Sequence, residues 1–280
     1  MNASNTIPHV SISNLAWPQE SDAEALDSVA RLGFAGVELM PFKIFGAWSV
    51  PAPAIAAYRR AAKDRGLLIP ALQGITFGAA GLHLFGSDAQ RANLANHLAK
   101  VADLAADLGA AMCVFGAPSL RDPGNLAPEQ AFDIAVNFFS KVAEHFAARK
   151  ACLCFEPNPV RYGCRFITTT AEAALLVRAV SHQGFGLQLD AGTIIINGET
   201  EHLPDEAAIA RHFHASEPDL VPLGGAEAHH MAIGKILDSA GYSGWRSVEM
   251  KPASDWRSAL DRSSQIMRKY YAGDATGPKS

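Results

Sequence analysis

An α/β fold, specifically a (β/α)₈ TIM barrel, is what this sequence predicts, and three observations carry the prediction. Eight short apolar runs alternate with longer stretches of helical period, the pattern of parallel strands joined by crossover helices. The 280 residues divide by eight into units of about 35, enough for one strand, one helix and two loops, and the total is close to the roughly 250 residues typical of one such barrel. Four apolar runs of the second half each end on a metal-capable side chain and then meet a turn signal: CLCFEPNP at Glu156, FGLQLDAGT at Asp190, HFHASEP at His214 and WRSVEMKP at Glu249. Such residues converge only if their strands lie side by side and parallel, and a parallel barrel gathers its site at the carboxyl ends of its strands.

Taken in order, strand-like segments fall at 8–15, 35–39, 67–73, 111–116, 151–156, 185–190, 211–215 and 246–250. Helical periods occupy 20–32, 53–65, 88–108, 128–149, 170–182, 203–210, 227–240 and 255–270. Ser21-Asp22, Ser87-Asp88 and Thr170 with Glu172 supply capping residues, and Gly33, Gly66, Gly109 and Gly241 follow helices where a left-handed residue is favoured. The runs 81–90 and 197–206 are the longest irregular pieces. Both follow strand carboxyl ends and are expected to cover the barrel mouth. Residues 1–271 read as one barrel, with no linker or second domain, and 272–280 as a small polar tail expected to be disordered.

Composition excludes several classes. A 49% hydrophobic and 19% charged chain describes a large core, and a net charge of −4 with scattered basic residues argues against a nucleic-acid surface. No apolar run approaches the ~18 residues of a membrane span, and the N-terminus lacks a secretory pattern, so the expectation is a cytoplasmic protein. Cys113, Cys152 and Cys154 lie in apolar runs and read as small buried hydrophobes, with Cys164 the fourth cysteine.

Three carboxylates and one imidazole form a hard, oxygen-rich set suited to one divalent ion, Mn²⁺ or Mg²⁺, with Co²⁺ as a further option. Asp190 also opens the turn Asp-Ala-Gly-Thr, where aspartate serves as a local turn former. His212 and His214 are two apart and face one side of their strand. His214 is nearer the carboxyl end and reads as the ligand, whereas His212 reads as a core histidine. Glu217 is expected to touch a substrate hydroxyl or to orient His214. Lys251 offers charge balance or a contact to a substrate oxygen. Asn14, Trp17, Glu38, Gln73 and His83 stand at or near other strand ends and complete the expected substrate-binding set. His229 and His230 read as exposed residues at the start of a helix. No glycine-rich phosphate loop with a following lysine is present.

The HFHASE run and the closing GYSGWRSVEM resemble the xylose-isomerase-like barrels, the sugar phosphate isomerase/epimerase superfamily, over nearly the whole chain. The chain is most similar to the ketose 3-epimerases. That resemblance implies a divalent metal held by Glu156, Asp190, His214 and Glu249, with Glu156 and Glu249 as an acid/base pair that moves a proton beside a ketone through an ene-diolate. It implies a small sugar or polyol-ketone substrate, no nucleic-acid or membrane partner, and a homo-oligomer. Two positions depart from the epimerases. Thr193 stands where they carry a histidine, and Leu220 occupies a place near their arginine. The same ligands also suit a dehydratase of the inosose or dehydroshikimate type, and a sugar-binding barrel without turnover is the third reading.

Overall fold

The computed structural model describes residues 6–272, so the expected tail lies outside the described residues from 273 onward. Eight parallel strands follow one another around a barrel: β1 Ile7–Ser13, β2 Phe34–Glu38, β3 Ala71–Leu72, β4 Met112–Phe115, β5 Cys152–Phe155, β6 Phe185–Asp190, β7 Ala210–Ala215 and β8 Trp245–Val248. Their order in the sheet is β2-β1-β8-β7-β6-β5-β4-β3. The helices between them are α1 Asp22–Arg31, α2 Pro41–Phe45, α3 Ala52–Asp64, α4 Asp88–Leu108, α5 Pro128–Ala148, α6 Thr170–Val180, α7 Ala191–Asn197, α8 Pro204–Ala207, α9 Glu227–Ser239 and α10 Trp256–Tyr270.

Closure between β2 and β3 rests on two isolated bridges, Gly36 to Leu68 and Leu39 to Leu72. The predicted strand 67–73 shrinks to two residues because Pro70 interrupts it. Proline has no N–H to give to the ladder. Four backbone bonds still tie the seam, among them Val37 N to Leu68 O at 2.9 Å and Gln73 N to Leu39 O at 2.9 Å.

Alternate residues of each strand face the helices and form the outer core. Phe139 of α5 lies against Phe115, Phe155 and Phe185 at centroid separations of 5.6, 5.4 and 4.8 Å. The residues between them face into the barrel, and that interior is polar, with Ser11, Glu38, Gln188, His212 and Ser247 all fully buried. The four cysteines are free and buried. No described helix is long and apolar enough to cross a membrane.

Several predicted boundaries need correction. The cap of α6 is Thr169, one residue before the expected Thr170, and its hydroxyl accepts from Glu172 N in a capping box. The expected helix over 203–210 is only α8, and a separate helix, α7, starts directly after β6 because Asp190 caps it. In the run 197–206, the Glu199 carboxylate accepts from the Thr170 N–H and hydroxyl, docking the run on the start of α6.

Candidate metal centre and active-site cavity

Strand register delivers the four predicted ligands to one place. Asp190 pairs with His214 across β6 and β7, His214 pairs with Ser247 across β7 and β8, and Glu156 and Glu249 directly follow β5 and β8. One ligand atom from each of Glu156, Asp190, His214 and Glu249 lies within 4.8 Å of the others. His214 Nδ1 is 3.2 Å from Glu249 Oε2 and 3.5 Å from Glu156 Oε1. It is buried and makes no hydrogen bond. A buried nitrogen aimed at three carboxylates with no hydrogen-bonded partner, in a set of three oxygen ligands and one imidazole, fits a hard divalent cation.

Neighbouring residues fix each ligand. Glu38, fully buried on β2, accepts from His214 Nε2 and His212 Nε2, each at 3.0 Å. This places the His214 proton on Nε2 and turns its Nδ1 lone pair to the cluster, the usual arrangement of a carboxylate behind a ligating histidine. Asn158 donates to Glu156 Oε2 at 3.0 Å, and the buried Arg121 donates to Asn158 Oδ1 at 2.7 Å and to the Glu156 carbonyl at 3.0 Å. Glu156 Oε1 is left facing the cluster. Gly116 makes room for this arrangement, since a Cβ there would lie 2.5 Å from Glu156 Oε2. Ser216 donates to Asp190 Oδ1 at 2.5 Å, while Asp190 Oδ2 accepts from Thr193 N at 2.7 Å. Asp190 therefore does two things, capping α7 and facing the cluster.

The crowding of charge shows in the titration of these groups. Burial, with the nearby Glu156 and Asp190 charges, pushes Glu249 up to about 7. Burial and Glu156 also raise Asp190. Burial opposes charge on His214, but Glu38 and Glu249 outweigh it and hold the imidazole well above its ordinary value. A proton on His214 thus relieves the carboxylates in the metal-free protein, and it must leave when the nitrogen ligates a metal.

A sequence profile of the xylose isomerase-like TIM barrel family matches residues 26–270, most of the chain and all but the first of the strands. The chain belongs to the xylose isomerase-like TIM barrel family. Solved structures agree on the fold. A D-psicose 3-epimerase from Clostridium cellulolyticum H10, solved with D-tagatose, aligns with a TM-score of 0.77 at 17% identity, over 95% of this chain and 99% of that one. A 3-keto-D-glucoside 4-epimerase from E. coli gives 0.76 at 17% identity, over 93% and 99% of the two chains. An L-ribulose 3-epimerase gives 0.73 at 17% identity, over 95% and 99%. Sequence comparison with curated proteins finds no match.

In this family member a cavity of about 330 Å³ opens beside the cluster, lined by Glu156, Glu249 and residues in and after β1 to β4. Of the residues expected to bind substrate, Gln73 lines it. The others sit elsewhere, for identifiable reasons. Glu38 lies beneath the cluster and acts on the histidines. Trp17 is fully buried and donates to Asp22 at 2.9 Å. Asn14 is fully buried and accepts from Met40 N at 2.8 Å. His83 Nδ1 accepts from Phe85 N at 3.1 Å within its own loop, outside the cavity lining. Lys251 is exposed and also outside the lining. Glu217 accepts the N–H groups of Gly224, Gly225 and Ala226, so it closes the loop into α9 and touches neither His214 nor the cavity. His230 is buried rather than exposed, and its Nδ1 meets the Tyr271 hydroxyl at 2.8 Å. A larger concavity, about 620 Å³, lies at the opposite end of the barrel between α3 and Trp245. Its lining holds no carboxylate or imidazole, so the chemistry belongs to the smaller one.

Sequence reasoning missed Arg121, Asn158, Gly116 and Ser216. None has a signal of its own in one sequence, although Asn158 stands in the Glu-Pro-Asn-Pro turn two residues after a predicted ligand.

Proposed function

We propose that this protein is a divalent-metal-dependent sugar isomerase or epimerase that moves a proton on the carbon beside a ketone. The observation that carries the reading is the pair Glu156 and Glu249, two carboxylates that line one cavity and both lie within 3.5 Å of His214 Nδ1. Asn158 donates to Glu156 Oε2 and holds it in place. Two carboxylates that face one cavity can serve as the base and the acid of a proton transfer. Glu156, Asp190, His214 and Glu249 would hold the ion, which when bound supplies electrostatic stabilisation of negative charge on substrate oxygens. Glu156 and Glu249 take up and return the proton on either side of the reacting carbon, and Glu38 keeps His214 in the ligating tautomer. The similar structures, epimerases of D-psicose, L-ribulose and a 3-keto-D-glucoside, support this class of substrate.

The test is solvent-deuterium incorporation into a ketose panel by the metal-loaded protein, read by product mass. A deuteron gained at the carbon beside the carbonyl with the carbon skeleton's oxygens conserved is the expected result. Loss of water would instead make the protein a dehydratase. Glu156→Gln and Glu249→Gln should each abolish exchange, and full activity in both variants would remove the acid/base assignment.

A further inference from the structure

Below the carboxylate cluster, the amino-terminal end of the barrel interior gathers ligands of the opposite kind. Strand alternation puts Cys152 and Cys154 on the same face of β5 as Glu156, while Phe155 turns outward to Phe139 of α5. Register sets Met112 of β4 beside Cys152, and Gly186 of β6 beside Cys154. Three sulfurs meet as a result. Cys154 Sγ lies 4.0 Å from Cys152 Sγ and 3.7 Å from Met112 Sδ. Both thiols are free and buried. Their bonds to backbone carbonyls are long, 3.9 Å from Cys152 to Leu153 O and 3.8 Å from Cys154 to Cys152 O. The remaining cysteines stand apart. Cys113 pairs with Leu153, on the opposite face of the sheet, and Cys164 donates to Phe166 O in the loop after β5.

Spacing and ligand type both point to a metal. Three sulfurs around one ion, at metal–sulfur bonds of about 2.3 Å, stand about 4.0 Å apart. Among the described residues, no imidazole or carboxylate joins the two thiols in a ligand group. Two thiols and a thioether without nitrogen or oxygen ligands are a soft set, which selects Cu⁺ over the hard ions suited to the carboxylate cluster. Two thiolates around a monovalent ion leave a net negative charge, and Arg211 interacts electrostatically with both thiols. Gly186 leaves room for this arrangement, since a Cβ there would lie 2.5 Å from Arg211 Cγ and 3.0 Å from Cys152 Sγ. Met112 and Cys152 open β4 and β5, and Met112 is only half-buried, so an ion reaches the sulfurs from the end of the barrel away from the oxygen ligands.

We propose that Cys152, Cys154 and Met112 form a second metal site, selective for one Cu⁺ ion, that ties β4 to β5 at the amino-terminal end of the barrel.

The experiment titrates the full-length protein with Cu⁺ under anaerobic conditions in competition with bicinchoninate, and records copper X-ray absorption on the product. The expected result is one Cu⁺ per chain in a shell of three sulfurs at about 2.3 Å. Cys152→Ala and Cys154→Ala should each abolish that shell, and Met112→Leu should reduce it from three sulfurs to two. Cys113→Ala and the double variant Glu156→Ala/His214→Ala should leave it unchanged, with circular dichroism reporting the fold of every variant. A parent protein that yields all its copper to the chelator, or that holds copper through nitrogen and oxygen, would overturn the site. A three-sulfur shell that persists in folded Cys152→Ala/Cys154→Ala protein would do the same, and one that persists in Met112→Leu would overturn the thioether ligand. The spectrum of the parent protein tests the ligand set even if a variant fails to fold.

Discussion

Glu38→Gln isolates the role of the carboxylate behind the proposed metal ligands. Glu38 is fully buried and accepts from the Nε2 atoms of both His212 and His214 at 3.0 Å. A carboxylate can accept both bonds, but an amide of the same shape presents one oxygen and one NH₂. One imidazole must then turn its lone pair to that NH₂ and carry its proton on Nδ1. When His214 is the one that switches, its proton sits on the atom that has to ligate the cation. Partners of this kind are worth about 10- to 100-fold in metal affinity, or about 1.4–2.7 kcal/mol. Glu38→Gln is therefore expected to weaken Mn²⁺ binding by that factor, measured by chelator competition at fixed pH, with circular dichroism showing the fold retained. An affinity within about twofold of the parent protein would refute the reasoning and leave Glu38 a packing residue.

Gly116→Ala tests the room left for Glu156. The new methyl would start 2.5 Å from Glu156 Oε2, so the carboxylate must move or the strand must shift. Overpacking of this kind costs about 1–3 kcal/mol; thermal unfolding should show a loss in that range, and turnover should fall by at least about tenfold. Unchanged turnover would mean that Glu156 can relocate without consequence. His97 supplies a pH dependence away from the metal. Burial lowers its pKa below the ordinary histidine value of about 6.5, and its Nε2 sits 2.7 Å from the Ile75 carbonyl. A histidine with a depressed folded value contributes stability that is present above 6.5 and is lost as pH falls through the folded value, because the unfolded chain binds the proton first. Urea unfolding of the parent protein should weaken as pH drops below 6.5, and His97→Gln should flatten that slope. An unaltered slope would assign the acid sensitivity to other groups.

Much of the barrel was legible because strand and helix periods alternate so regularly, and because Glu156, Asp190, His214 and Glu249 each stand at a strand end before a turn. Their neighbours were harder to see, for physical reasons. Glu38 and His212 look like unrelated residues 174 positions apart, and only closure of the barrel places them in hydrogen-bond contact. Glu217 follows His214 by three residues, which suggests a contact. The chain turns between them, however, and the carboxylate instead gathers three backbone N–H groups at the start of α9. Trp17 and Asn14 are at a strand end, yet both point into packing that a linear reading does not contain. Strand β3 is short for a reason written in the sequence, Pro70. A central proline argues against a regular strand over 67–73.

The central claim is that the cluster at the carboxyl ends of β5 to β8 holds one divalent ion. Metal content of the purified protein, after dialysis with Mn²⁺, Mg²⁺ or Co²⁺ added back, tests it most directly, alongside the double variant Glu156→Ala/His214→Ala. The account predicts one ion per chain in the parent protein and loss of that ion in a still-folded variant. A folded parent protein that binds no divalent ion would contradict the metal centre and every assignment built on it.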